Sequence, residues 1–170
     1  MAVHDVTPVE SRTLSVLVEN HAGVLSRVVG LFSARGFNIK SLAVGETEDP
    51  TASRITLVAE GDQKTIEQIK KQLNKLIDVI KIYDLVDEEF TDRELMLVKL
   101  MNTPEVKHEL KNLMAKYRMA IVDENVKAIT VECTETRHHT KTLLETFKKI
   151  GILEMAQTGA VALSKKPPKE

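Results

Sequence analysis

Apolar positions in this chain follow two periods in turn, and the changes of period mark its elements. Over residues 13–19 (TLSVLVE), Leu14, Val16 and Val18 fall on one face, as in a half-buried strand. From Val24 the period lengthens, so that Leu25, Val28, Val29 and Phe32 share a helix face. Arg35-Gly36 ends that helix with a glycine just past its last turn. Residues 37–39 (FNI) and 42–44 (LAV) predict a second strand whose apolar phase slips near Lys40-Ser41, the mark of a bulge. After the turn-rich stretch 45–50 (GETEDP), Ile55, Leu57 and Ala59 alternate in a third strand over 54–60, a hairpin partner for the second. Asp62 is placed to cap a helix that turns Ile66, Ile69, Leu73 and Leu76 inward. Residues 78–85 (DVIKIYDL) supply a fourth strand.

The pattern then recurs. Residues 95–101 form a compact apolar strand, and Thr103-Pro104-Glu105 starts a helix with threonine as cap and proline at its first position. That helix aligns Val106, Leu110, Leu113, Met114 and Tyr117. Residues 119–122 and 128–133 read as strands around a turn at Asp123-Glu124-Asn125. Leu143, Leu144, Phe147 and Ile150 mark a last helix ended by Gly151, and residues 152–163 give one or two final strands. The order β-α-β-β-α-β, read twice, predicts an α+β protein of two ferredoxin-like βαββαβ units in tandem. The expected divisions are a disordered lead-in over 1–12, a first domain at 13–85, and an acidic linker at 86–93. A second domain follows at 94–165, then a disordered tail at 166–170.

Composition narrows the function. Twenty-four basic residues against 25 acidic ones give a net charge of −1, with the two signs interspersed, so there is no broad electrostatic footprint for nucleic acid. The single cysteine, Cys133, rules out an internal disulfide framework and fits a reducing compartment. No apolar run is long enough to span a bilayer, and the opening MAVHDVTPVES lacks a signal-peptide pattern. A soluble, cytoplasmic protein is expected.

The chemistry sits where the first strand gives way to its helix, at Asn20-His21-Ala22-Gly23-Val24-Leu25. A helix start has unsatisfied N–H groups and the positive end of the helix dipole, and Gly23 permits close approach. A carboxylate or phosphate suits that turn, although Asn and Gly serve equally well as plain turn residues. The matching junction in the second half, Asn102-Thr103-Pro104, loses a donor to proline. Small-ligand binding is therefore expected only in the first half.

The run LSVLVENHAGVLSRVVGLFSARGFNIKSLAVGETEDP (14–50) resembles the start of an ACT domain, a small module that binds amino acids. More narrowly, it is similar to the regulatory (small) subunit of acetohydroxyacid synthase, also called acetolactate synthase. Asn20, Gly23-Val24-Leu25, Arg35-Gly36 and Phe37-Asn38-Ile39 carry the likeness, which runs over residues 12–85. It continues through the second half in length and element order. The resemblance implies a non-catalytic regulator in branched-chain amino acid biosynthesis. Such a subunit associates with a separate catalytic subunit that holds thiamine diphosphate, magnesium and FAD, none of them bound by this chain. It activates that partner and confers feedback inhibition by valine, and sometimes by leucine or isoleucine. The resemblance also implies a homodimer that joins sheets across a two-fold axis. The effector would lie at the seam, between Asn20, His21, Ala22, Gly23, Val24 and Leu25 of one copy and Asn38 and Ile39 of the other.

Valine's chemistry agrees with those positions. Its carboxylate suits the N–H groups around Gly23–Leu25, its ammonium the amide oxygens of Asn20 and Asn38, and its methyls Val24, Leu25 and Ile39. Such a pocket separates aliphatic side chains by only about 1–3 kcal/mol per methylene, so the preferred effector is not fixed. Other readings are weaker. His138-His139 with His108 and Cys133 invites a metal, but adjacent helical residues point about 100° apart and no ligand spacing supports it. The acidic residues between Asp84 and Asp92 read as a solvated linker, and Met96, Met101, Met114 and Met119 as core filling. Acyl-phosphate hydrolysis on this topology wants an arginine in the first loop, and the nearest is Arg27, inside the helix. RNA binding wants aromatics on the central strands, which LSVLV and ITLVA lack. The remaining alternative is a stand-alone amino-acid- or metal-sensing regulator, for which no basic recognition helix is evident.

Overall fold

The computed structural model describes residues 10–85 and 89–166. The expected lead-in falls outside them through residue 9, as do linker residues 86–88 and tail residues 167–170. The chain divides into two compact units, one of residues 92–161 and one of the described residues before it together with those from Ala162 on. Among the described residues no helix is long and apolar enough to cross a membrane.

The first unit runs β1 (Glu10–Glu19), α1 (Val24–Arg35), β2 (Asn38–Glu46), β3 (Ala52–Gly61), α2 (Gln63–Leu73) and β4 (Val79–Asp84). Its sheet has the order β2-β3-β1-β4 with antiparallel ladders throughout. Leu14, Val16 and Val18 face the helices as the alternation predicts. They pack with Ile55 and Leu57 against Val28 and Phe32 of α1 and Ile66, Ile69 and Leu73 of α2. The register of β2 against β3 skips between Ile39 and Ser41, which places the predicted bulge at Lys40. Gly36 ends α1 in the left-handed conformation (φ 65°), and the Asp62 carboxylate caps α2 by accepting from the Thr65 N–H at 2.8 Å.

One expectation is corrected here. Strand β1 is buried on both faces: Thr13 and Ser15 are closed from solvent, as are Thr56 and Val58 on the same side of β3. A buried hydroxyl needs a partner, and the Arg54 Nη1 donates to Ser15 Oγ at 3.0 Å. Alternation read from one strand cannot tell which faces are covered.

The elements that follow are β5 (Phe90–Met101), α3 (Pro104–Met114), β6 (Met119–Glu124), β7 (Ala128–Glu135), α4 (Arg137–Ile150), β8 (Ile152–Gln157) and β9 (Val161–Ser164). They make up the second unit except for the first two residues of β5 and for β9 from Ala162 on, which cluster with the first. The sheet order is β6-β7-β5-β8, and β9 also pairs with β5. Strand β5 begins at Phe90, inside the stretch read as linker, because pairing extends it beyond the apolar run. Strand β6 likewise continues through Glu124, so the turn falls at Asn125, whose Oδ1 accepts from the Lys127 and Ala128 N–H groups. Of the methionines, Met96 is in the core and Met119 packs at its margin. Met101 and Met114 are exposed, the first on the outward phase of β5 and the second at the end of α3. The buried Glu94 carboxylate accepts from Thr140 Oγ1 at 2.5 Å and Gln157 Nε2 at 2.9 Å, so its burial is matched by two donors.

Candidate functional site

The junction between β1 and α1 is built by residues that local pattern could not bring together. Gly23 is the N-cap of α1, at φ 88° and ψ −11°, a conformation that L side chains avoid. It offers no side chain to cap the helix, and no acidic residue lies in the first turn. Helical side chains lean toward the N-terminus, so Arg27, one turn on, folds back over this turn. Its Nη1 lies 3.0 Å from where a Cβ on Gly23 would stand.

Asp78, just before β4, fixes the arrangement. Its carboxylate is buried and takes a bidentate pair of bonds from Arg27, Nε to Oδ2 at 2.6 Å and Nη2 to Oδ1 at 2.9 Å. Hydrogen bonding to that guanidinium holds the Asp78 carboxyl below the usual carboxylate range and raises Arg27 above the ordinary arginine value. The Asp78 carbonyl accepts from the Glu19 N–H at 2.9 Å. His21 Nε2 stands 3.1 Å from both Asp78 Oδ1 and Glu19 Oε2. Sequence reasoning missed both Arg27 and Asp78 as parts of the site. The lean of helical side chains signals Arg27, four residues after Gly23, but nothing local signals Asp78.

Asn20 ties the loop to the turn between β2 and β3. Its Nδ2 donates to Glu46 Oε1 at 3.0 Å and to the Pro50 carbonyl at 2.9 Å, which uses both amide hydrogens and leaves the oxygen as the amide's remaining polar atom. Of the two apolar residues named for this loop, Val24 is a core residue that offers the site only its backbone, whereas Leu25 is 38% exposed.

Asn38 and Ile39 are not brought to this loop within one chain. Asn38 is opposite Glu60 in the sheet, and its Nδ2 donates to the Glu60 carboxylate at 2.9 Å. Glu19, at the loop end of β1, is instead opposite Ala52. Eight positions of β3 separate Ala52 from Glu60, roughly 25 Å at the usual strand rise. The predicted site residues thus fall into two groups at opposite ends of the sheet, and β2, which carries the second group, is an edge strand.

Glu19, His21 and Asp78 present possible metal-ligand atoms within 4.8 Å of one another. Both Asp78 oxygens are engaged by the Arg27 guanidinium, whose fixed positive charge opposes a cation there, so the Asp78 carboxylate is committed to that ion pair. The other histidines and the cysteine have different surroundings. His139 meets Glu135 at 3.0 Å and the edge of Tyr117, while burial pushes the Cys133 thiol up to about 12, which leaves it inert.

Comparison with known proteins bears on both units. The family described as AHAS small subunit-like ACT domain matches residues 14–81, and the family described as small subunit of acetolactate synthase matches residues 93–166. An acetolactate synthase small subunit from Mycobacterium bovis is 45% identical over 158 residues, covering 93% of this chain and 94% of the relative. Its counterpart from Haemophilus influenzae is 43% identical over 155 residues, with 91% and 95% covered. The crystal structure of the acetolactate synthase small subunit from Thermotoga maritima matches with a TM-score of 0.81 at 35% identity, covering 94% of this chain and 99% of that one. An ACT unit with its helix start left open, a second ferredoxin-like unit, and matches across nearly the full length lead to one conclusion: this chain belongs to the family of acetolactate synthase small subunits.

Proposed function

We propose that this chain, a non-catalytic regulatory subunit in branched-chain amino acid biosynthesis, confers feedback inhibition by valine on its catalytic partner. The effector binds where residues 20–25 of one copy meet Asn38 and Ile39 of a second. The observation that carries this reading is the placement of the two groups at opposite ends of the sheet, with the second on an exposed edge. An antiparallel pairing of two β2 edges reverses one sheet against the other, so it sets each loop beside the partner's Asn38. Leu25, Val29 and Val44 are exposed on α1 and β2, apolar surface that a second copy would cover.

In that seam the valine carboxylate takes the N–H groups at the start of α1, and its ammonium takes the Asn20 oxygen. Leu25 and the partner copy's Ile39 flank its methyls. Two chains complete the pocket, so effector binding and assembly geometry are thermodynamically coupled, the requirement for allosteric control. Thiamine diphosphate, magnesium and FAD belong to the catalytic partner, and the assembly works in the cytoplasm. The test is calorimetric titration of the purified chain with valine, leucine and isoleucine, with sedimentation run in parallel. A dimer that releases or takes up heat with at least one of them is expected, together with valine inhibition of acetolactate formation once the catalytic subunit is added. A monomer that gives no heat with any of the three overturns the proposal.

A further inference from the structure

We infer that Arg27 is the charged anchor for the effector's carboxylate, with Asp78 as the positioning residue that aims it; this rests on the effector reading above. Asp78 engages the guanidinium through Nε and Nη2. The planar fork has five N–H donors, so the Nη1 edge is left unspent by that pair. Nη1 is the atom that lies 3.0 Å from a Cβ position on Gly23, which turns the free edge onto the same turn as the first N–H groups of α1. A carboxylate seated on those groups is then within reach of a charge-assisted bond, stronger than the backbone bonds alone and fixed in direction.

The two side chains differ in access as this division of labour requires. Arg27 is 45% exposed and open to a ligand, whereas the Asp78 side chain, at 6%, is closed to one. A long cation already fixed by a buried partner loses little freedom when the ligand arrives, and that is what preorganisation contributes to affinity. Gly23 is then favoured twice over, by its positive φ and because a Cβ there would crowd the guanidinium at 3.0 Å.

The experiment titrates the full-length chain, wild type and Arg27→Gln, with valine and with valinamide, which keeps the ammonium and methyls but has no carboxylate. Wild type is expected to prefer valine strongly, and Arg27→Gln to lose about tenfold or more of valine affinity while valinamide binding barely changes. The collapse of that preference is the readout a merely structural role would not produce. Arg27→Lys keeps the charge without the fork and is expected to fall between the two, which covers the case of an unstable glutamine variant. Asp78→Asn is expected to weaken valine binding, and the Arg27→Gln/Asp78→Asn double variant to bind no worse than Arg27→Gln alone, because Asp78 acts through Arg27. Valine and valinamide weakened equally, or valine affinity unchanged in Arg27→Gln, overturns the assignment and leaves the effector reading standing. A wild-type chain that gives no heat with any branched-chain amino acid overturns both.

Discussion

The two strand-to-helix junctions make the most instructive comparison in the molecule. An asparagine follows each first strand and does the same work. Asn20 donates to Glu46 and the Pro50 carbonyl, and Asn102 donates to Glu124 and the Asn125 carbonyl, so both bind the junction to the neighbouring hairpin turn. The junctions then diverge. In the second unit Thr103 follows at once, its Oγ1 accepts from the Val106 N–H at 3.3 Å, and Pro104 at the first helical position has no N–H to satisfy. In the first unit two residues, His21 and Ala22, intervene, and the cap is a glycine at positive φ with no side chain. The fold can close this helix start with its own threonine, as the second unit demonstrates. The first unit leaves its helix start without a side-chain cap, as the proposed effector site requires.

Experiments can break or sharpen that contrast, beginning with the largest effect. Gly23→Asp puts a carboxylate against Arg27 Nη1 and an L side chain at positive φ. Valine affinity is expected to fall by about a hundredfold, since the new carboxylate occupies the place of the ligand's own, and calorimetry reads this directly. An unchanged affinity would show that the open helix start is not the site.

Next is acid. The Asp78 carboxyl is held below its unfolded value, so its contribution to stability is complete above the ordinary carboxylate range near pH 4. That contribution is lost as pH falls through the lowered folded value. Thermal midpoints of wild type and Asp78→Asn should converge as pH drops through that window. Parallel curves would mean that the Arg27 pair contributes nothing to folding. His21 and Glu19 face the same carboxylate, so the comparison is made in otherwise unaltered protein.

The reciprocal change is Thr103→Ala, which removes the cap of the closed junction. It is expected to cost about 1 kcal/mol in denaturant unfolding and to leave valine binding untouched. The smallest effect separates the paired asparagines. Asn102→Ala and Asn20→Ala should each cost about 0.5–1 kcal/mol in exposed hydrogen bonds, and only Asn20→Ala should also weaken valine. Equal behaviour of the two in the binding assay would remove the functional difference between the junctions.

Much of the fold was legible in the sequence because its signals are local. Gly36, Asp62, Thr103 and Gly151 end or begin helices as their chemistry requires, and the phase slip at Lys40 is a real bulge. Most of the misreadings are places where a neighbour across the sheet decided the outcome; Met114, exposed at the end of α3, is not. Strand pairing extends β5 back to Phe90 and β6 on to Glu124, and Met101 points outward because its phase on β5 is opposite to that of Leu100. At the site, the loop residues were legible as a helix start, whereas Val24 and Leu25 look alike in sequence and only packing assigns one to the core and the other to the surface.

By itself the sequence determined the element order, the caps, the repeat of a βαββαβ unit and the family. Periodicity and capping act over a few residues, so they survive without knowledge of the rest of the chain. Tertiary structure alone decided that Asp78 meets Arg27 across 51 residues, that β1 is buried on both faces, and that Asn38 is at the far end of the sheet from Asn20. Those outcomes follow from strand register and from which elements cover each other, and both are fixed only when the whole unit packs.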